Sequence, residues 1–237
     1  MSEPLTPSTG WCVLHLFCKL PAGGAGGSGG AGGVDREAVA GAVKAVRSGD
    51  HQVVTFSVSG HKADLGFMAI GPDWLRLRAL HADLQAAGLQ IADSYVSLTE
   101  VSEYAKGLPA EMLQARLYPK LPPAGKRAFC FYPMSKRRGE SHNWYALGFD
   151  EREALMRGHG ATGRTFRGRV LQLITGSTGL DDYEWGVTLF AVRPDDLKDV
   201  VYTMRFDEAS AHYADFGPFY AGVVDEVEAV LNQVGLA

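Results

Sequence analysis

Apolar residues along this chain fall into short runs separated by helix-like segments, and the same alternation occurs twice. Trp11 to Leu20 reads Trp-Cys-Val-Leu-His-Leu-Phe-Cys-Lys-Leu, an apolar strand. Asp35 follows as a helix N-cap for a segment running to about Arg47. Strands are predicted at residues 52–59 and 64–70. Gly71-Pro72-Asp73-Trp74-Leu75 then opens a helix to about Ala87, and residues 90–98 form a further strand. The second half repeats the order. A strand at 128–134 is followed by a helix at 150–158 and strands at 169–175 and 185–192. Arg193-Pro194-Asp195-Asp196-Leu197 opens a helix to about Met204, and one more strand and a helix near 225–233 follow.

Both proline-containing helix starts come directly after an apolar strand, and proline suits the first helical turn because its missing N–H would be unpaired there. The βαββαβ order on each side predicts an α+β fold of two ferredoxin-like halves, residues 1–107 and 108–237. Their antiparallel sheets close into one barrel, a dimeric α+β barrel with the helices outside. Between the first strand and the first helix lies a glycine-rich stretch, residues 22–33. A phosphate-binding loop would end in Gly-Lys-Ser/Thr, whereas here the chain runs Gly33-Val34-Asp35-Arg36. The stretch reads as a flexible low-complexity insertion in a surface loop.

Composition narrows the classes. With 237 residues, 46% hydrophobic and 21% charged, the chain can bury a substantial core. A net charge of −4 argues against general nucleic-acid binding, which needs a basic face. No run of about 18 apolar residues is present, so no membrane span is expected, and the N-terminus lacks the pattern of a signal peptide. Cys12, Cys18 and Cys130 lie in apolar strands without metal-site spacing. They read as buried free thiols, which suits a reducing cytoplasm.

The chemistry concentrates between Tyr132 and Trp185. Tyr132 sits in the apolar run Phe129-Cys130-Phe131-Tyr132-Pro133-Met134, followed by Ser135 and the cations Lys136, Arg137 and Arg138. It is either a core tyrosine with its hydroxyl bonded to backbone or a redox-active phenol. His159 follows a helix ending at Gly158. It is either a cation at a helix C-terminus or an axial iron ligand, since a haem iron needs only one protein ligand. No second ligand stands at a zinc-like interval. Lys136, Arg116 and Arg164 are candidates to meet carboxylates at a pocket rim. Gln172, in Leu171-Gln172-Leu173-Ile174, either faces outward from its strand or lines a cavity. Together these residues point to a large, flat, anionic, redox-active ligand between an imidazole and a phenol. A haem-type porphyrin fits that description better than a nucleotide or a simple metal ion.

Residues 116–219 closely resemble the coproheme decarboxylases of the chlorite dismutase superfamily, in the form found in Firmicutes. The stretches that carry the resemblance are Arg116-Leu117-Tyr118-Pro119-Lys120-Leu121-Pro122, Tyr132-Pro133-Met134-Ser135-Lys136-Arg137-Arg138, Asn143-Trp144-Tyr145 and His159-Gly160…Gly163-Arg164. They continue with Ile174-Thr175-Gly176-Ser177, then Gly179-Leu180-Asp181-Asp182-Tyr183-Glu184-Trp185 through Phe190, and Met204-Arg205-Phe206-Asp207-Glu208.

The resemblance implies conversion of iron-coproporphyrin III to haem b, by hydrogen-peroxide-dependent oxidative decarboxylation of two propionates to vinyl groups. This is the last step of coproporphyrin-dependent haem biosynthesis. The substrate would act as its own iron cofactor. The resemblance further implies His159 as proximal iron ligand, Tyr132 as the catalytic hydrogen-abstracting tyrosine, and Lys136 as a propionate-binding or protonating group. Arg116 and Ser210 match propionate-binding positions, Pro133, Met134 and Ser135 lie along the porphyrin, and Gln172 is distal. A homopentamer and transient contact with coproporphyrin ferrochelatase are implied in the same way. Two alternatives stand beside this reading. Chlorite dismutase activity in the superfamily depends on a distal arginine, where this chain has Gln172. A non-catalytic haem-binding or delivery protein would have no need of a phenol at position 132.

Overall fold

A computed structural model describes residues 3–21, 33–105 and 107–236; all but one residue of the glycine-rich stretch at 22–33 lies outside them. The first half consists of β1 (Cys12–Lys19), α1 (Arg36–Val46), β2 (Gln52–Val58), β3 (Leu65–Gly71), α2 (Trp74–Ala86) and β4 (Gln90–Thr99). After α3 (Ala110–Leu117) come β5 (Ala128–Lys136), a 3₁₀ turn (Trp144–Ala146) and α4 (Phe149–Arg164). They are followed by β6 (Val170–Gly176), β7 (Trp185–Ala191), α5 (Pro194–Met204) and α6 (Glu208–Ala211). β8 (Ala214–Phe216), β9 (Tyr220–Asp225) and α7 (Val227–Gln233) complete the order.

The expected α+β fold is the one observed. Strands of the first half lie in the order β4-β1-β3-β2 and those of the second in the order β6-β7-β5-β9, the same arrangement twice. The halves join at two seams, β4 with β6 and β2 with β9, and so close into one antiparallel barrel. β8 pairs with the far end of β5. At the β2–β9 seam the backbones approach so closely that a Cβ on Gly222 would overlap the Ser57 carbonyl oxygen.

Alternation along each strand sorts the core into an inside and an outside. Val13 and Phe17 of β1, Phe56 of β2 and Phe129 and Phe131 of β5 point into the barrel. There Phe17 stacks on Tyr220 at 3.7 Å and Phe56 on Phe129 at 3.9 Å, each pair joining the two halves. Each is worth about 0.5–1.5 kcal/mol beyond the area it buries. His15 also points inward and is fully buried; its Nε2 lies 3.0 Å from Thr188 Oγ1, and burial drives its pKa down to about 3. The other face of the first half packs under α1, α2 and α7. All three cysteines are free and buried.

Several boundaries differ from the sequence reading. Asp73, not Pro72, begins α2, because its carboxylate accepts from Leu75 N at 3.0 Å, whereas Pro194 does stand at the first turn of α5. The two helix starts therefore differ in both position and capping: Pro194 is the first residue of α5, whereas Pro72 precedes the Asp73 cap and α2 starts at Trp74. α4 continues six residues past the expected end at Gly158, to Arg164. Its three glycines, Gly158, Gly160 and Gly163, carry an entropic cost but leave the helical hydrogen bonding intact. α3, α6 and β8 carry too short a periodic pattern to be read from sequence.

Candidate active site

The outer face of the second half's sheet carries the site. On β5, Cys130, Tyr132 and Met134 belong to the cluster on that face. Lys136 continues the same alternation. Pro133 and Ser135 point the opposite way. A Cβ on Gly217 would meet the Pro133 ring and Tyr183, and Ser135 Oγ accepts from Glu184 N at 3.3 Å. Of the run 132–136, then, only Tyr132, Met134 and Lys136 offer side chains to the site.

Tyr132 is 9% exposed. Its ring stacks on Phe219 at 4.4 Å and meets Phe216 at 5.7 Å. Its hydroxyl has no hydrogen-bond partner among the described residues. A core tyrosine tied to backbone, one of the two sequence readings of this residue, is therefore not what the fold contains. Burial raises the phenol's pKa above its ordinary value, reinforced by Cys130 and opposed by Arg205. The group is a neutral O–H.

His159 lies within α4 rather than at its end, so an interaction with the helix C-terminus does not explain it. Its partner is Asp207, whose two carboxylate oxygens are each 3.1 Å from His159 Nδ1. Ser210 completes the cluster: its backbone N donates to Asp207 Oδ1 and its hydroxyl to Oδ2, each at 3.1 Å. Burial alone would raise the Asp207 pKa, but the hydrogen bonds and charge of His159, with those from Ser210, bring it below the ordinary value. A carboxylate facing Nδ1 selects the tautomer with its proton there and leaves the Nε2 lone pair free for a metal. Among the described residues no three His, Cys, Asp or Glu side chains meet as a metal-binding group. An iron bound at His159 would take its other ligands from the macrocycle, as haem iron does.

α4 contributes no fully buried residue and packs mainly on α6 and α5. On β6 the outward residues Gln172 and Ile174 are exposed, Ile174 by 42%. Gln172 thus faces out of the barrel. Register places Ile174 opposite Val187 opposite Tyr132, and Gln172 opposite Leu189 opposite Cys130. The phenol and the glutamine share one sheet face, part of which no helix covers. A cleft of ≈550 Å³ adjoins it, lined by Arg137, Arg205, Ser210, Asp215, Phe216 and Phe219. Ser210 and the two aromatic partners of Tyr132 meet there, beside two cations.

Lys136 stands at the rim. Its Nζ donates to the Ala209 carbonyl at 3.1 Å and lies 4.0 Å above the Trp144 ring. Burial pushes its pKa down to about 8, against the opposing charges of Asp207 and Glu184. Glu184 anchors the strand end, accepting from Lys136 N at 2.7 Å and from Arg138 at 2.8 Å. Arg116 is separate. It is exposed in the last turn of α3, and no contact among the described residues joins it to this cluster. Asp207, Trp144, Glu184 and Arg205 lie in stretches that carry the family resemblance, but sequence reasoning gives none of them an individual role. The pattern Asp207-x-x-Ser210 is a readable N-cap signal, but its pairing with a histidine 48 positions away is not.

The chlorite dismutase family model matches residues 35–225. The chain belongs to the chlorite dismutase family. A coproheme decarboxylase of Staphylococcus carnosus is 45% identical over 94% of this chain and 95% of that protein. A heme-binding protein of Thermus thermophilus has a solved structure similar over 100% of both chains, with a TM-score of 0.87 and 38% identity. A mutant chlorite dismutase from Candidatus Nitrospira defluvii, 20% identical over 97% of each chain with a TM-score of 0.79, shares the fold. In this chlorite dismutase family member the family match thus spans both halves of the barrel, from α1 to β9. No helix among the described residues is long and apolar enough to cross a membrane.

Proposed function

We propose that this chlorite dismutase family member is a coproheme decarboxylase, an oxidoreductase that converts iron-coproporphyrin III to haem b as the last step of haem biosynthesis by the coproporphyrin route. The observation that carries the reading is Tyr132: a buried, neutral phenol without a hydrogen-bond partner among the described residues, on the same sheet face as Gln172 and beside a cation-lined cleft. The 45% identity to a coproheme decarboxylase over nearly the whole chain supports it.

The substrate brings its own iron, which with hydrogen peroxide supplies a strong one-electron oxidant. His159 binds that iron through Nε2, and the Asp207 carboxylate holds its Nδ1–H and makes the imidazole a stronger donor. Tyr132 is the catalytic residue. It loses a hydrogen atom and then takes one from the β-carbon of a propionate. Loss of carbon dioxide and of a second electron leaves the vinyl group. For each propionate, one carboxylate, one H₂O₂ and one proton give one vinyl group, one CO₂ and two H₂O. Lys136, Arg116 and Ser210 hold propionates through charge and hydroxyl contacts, Met134 lies along the porphyrin, and Gln172 occupies the distal side. Pro133 and Ser135, facing inward, have no side-chain role. The enzyme acts in the cytoplasm, where three buried thiols stay reduced, as a homopentamer in transient contact with coproporphyrin ferrochelatase.

The test is to add iron-coproporphyrin III and hydrogen peroxide to the purified protein and identify the porphyrin by mass. Loss of two carboxyl groups, through a three-propionate intermediate, is expected. Tight binding without any loss of mass would overturn the decarboxylase reading in favour of a heme carrier.

A further inference from the structure

Lys136 has an unusual seat for a half-buried cation. Its ammonium reaches one carbonyl oxygen, that of Ala209, and no carboxylate lies within ion-pair distance among the described residues. Desolvating a cation with so few partners is costly. The remaining contact is the face of Trp144, 4.0 Å from the ammonium to the ring centroid. That indole is itself fixed. Trp144 is 3% exposed, and its ring is met edge-on by Tyr213 at 5.5 Å and Tyr104 at 6.4 Å. Its backbone N donates to the Arg137 carbonyl at 2.9 Å, and the Asn143 side chain caps the 3₁₀ turn that carries it. At the other end, Glu184 accepts from Lys136 N at 2.7 Å and pins the strand. Both partners of the cation–π contact are thus fixed by hydrogen bonds and ring contacts other than the one they make with each other.

We propose that Trp144 is a positioning residue for Lys136, its indole face holding the ammonium charged and aimed at the place where a substrate carboxylate arrives. The choice of an aromatic ring has a physical reason. A carboxylate in the same seat would neutralise the lysine and repel an incoming propionate. A neutral π face stabilises the cation through its quadrupole and repels nothing, so the ammonium keeps its full attraction for the substrate. Asp207 and Glu184 lie near enough to favour the charged form but outside ion-pair range. The inference rests on the decarboxylase reading, since it takes the arriving anion to be a porphyrin propionate.

The test is a double-mutant cycle on binding and peroxide-driven conversion of iron-coproporphyrin III. Wild-type protein is measured first; if it neither binds nor converts this substrate, the functional reading fails, whatever Trp144 does. If it does both, Trp144→Leu is expected to weaken binding about tenfold, the size of a desolvated cation–π contact. Trp144→Phe, which keeps a weaker π face, is expected to restore most of that loss. In a Lys136→Met background neither change should have a further effect. Equal losses from Trp144→Leu with and without Lys136 would overturn the proposal and leave Trp144 a packing residue. Should Trp144→Leu not fold, biosynthetic replacement by fluorinated tryptophan drains the ring's quadrupole at nearly constant shape. Binding should then weaken in the Lys136 protein and not in Lys136→Met, and an equal response in both would equally overturn the proposal.

Discussion

Asp207→Asn isolates the carboxylate's effect on His159, the proposed iron ligand. Asp207 does two things at once: it accepts from Ser210 N at the start of α6 and it faces His159 Nδ1, both at 3.1 Å. Asparagine caps a helix about as well as aspartate, so α6 and Ser210 stay in place. The amide oxygen can still accept one hydrogen bond from Nδ1–H, but the charge is gone. Hydrogen bonds to charged groups contribute about 1.5–3 kcal/mol against about 0.5–1.5 for neutral pairs. The difference, about 1–1.5 kcal/mol, is a fivefold to tenfold loss of affinity, near the lower edge of the usual 10–100-fold cost of losing such a partner. The assay is titration of ferric iron-coproporphyrin III followed by its absorption, with the iron–histidine vibration of the ferrous complex as an independent readout. The vibration should move to lower frequency as the imidazole becomes a poorer donor. Unchanged affinity and an unchanged vibration would refute the claim that Asp207 tunes the iron through His159.

Tyr132→Phe should keep coproheme binding and abolish decarboxylation, because the hydroxyl has no bond to lose among the described residues but is the group proposed to react. Its melting temperature should shift by less than the roughly 2–4 °C that accompanies 1 kcal/mol in a chain of this size, and haem b formation by this variant would sink the mechanism. The Lys136 pKa, pushed down to about 8 by burial, gives a pH dependence of definite sign. Above about pH 8 the free protein loses this cation, so coproheme affinity should fall as pH rises, and Lys136→Met should lack that limb. Because the folded value lies below the unfolded one, the group's contribution to stability should rise between about pH 8 and 10.5, measurable as the denaturant midpoint of both proteins. Gly222→Ala should open the β2–β9 seam, since its Cβ would overlap the Ser57 carbonyl oxygen. A destabilisation of at least about 2–3 kcal/mol by urea unfolding is expected, and a neutral result would mean the seam is not closely held.

Much of the fold is legible because it is written locally. β1 and β5 are apolar at nearly every position since both of their faces are buried, one in the barrel and one under helices or the site. Asp35 announces α1 and does cap it, accepting from Ala38 N at 2.9 Å. The end of α4 is not legible, because glycine usually marks a helix end, and here Gly158 and the glycines after it lie within a helix whose inner side is not packed against the sheet. Tyr132 and His159 are visible as unusual side chains in otherwise ordinary elements, and single-residue arguments leave each of them open.

By itself the chain's pattern determined the order of the longer strands and helices, the repeat of that order, and which residue types could meet a flat anionic ligand. All of these depend on neighbours a few positions apart, where period and capping speak directly. The tertiary structure decided the rest. The β4–β6 and β2–β9 seams turned two sheets into one barrel, and strand register put Tyr132 and Gln172 on a common face. The approach of α6 to α4 brought Asp207 to His159, and the loop after β5 laid Trp144 under Lys136. Each is a pairing of residues from separate elements, fixed by how whole sheets and helices pack, and no local periodicity records it.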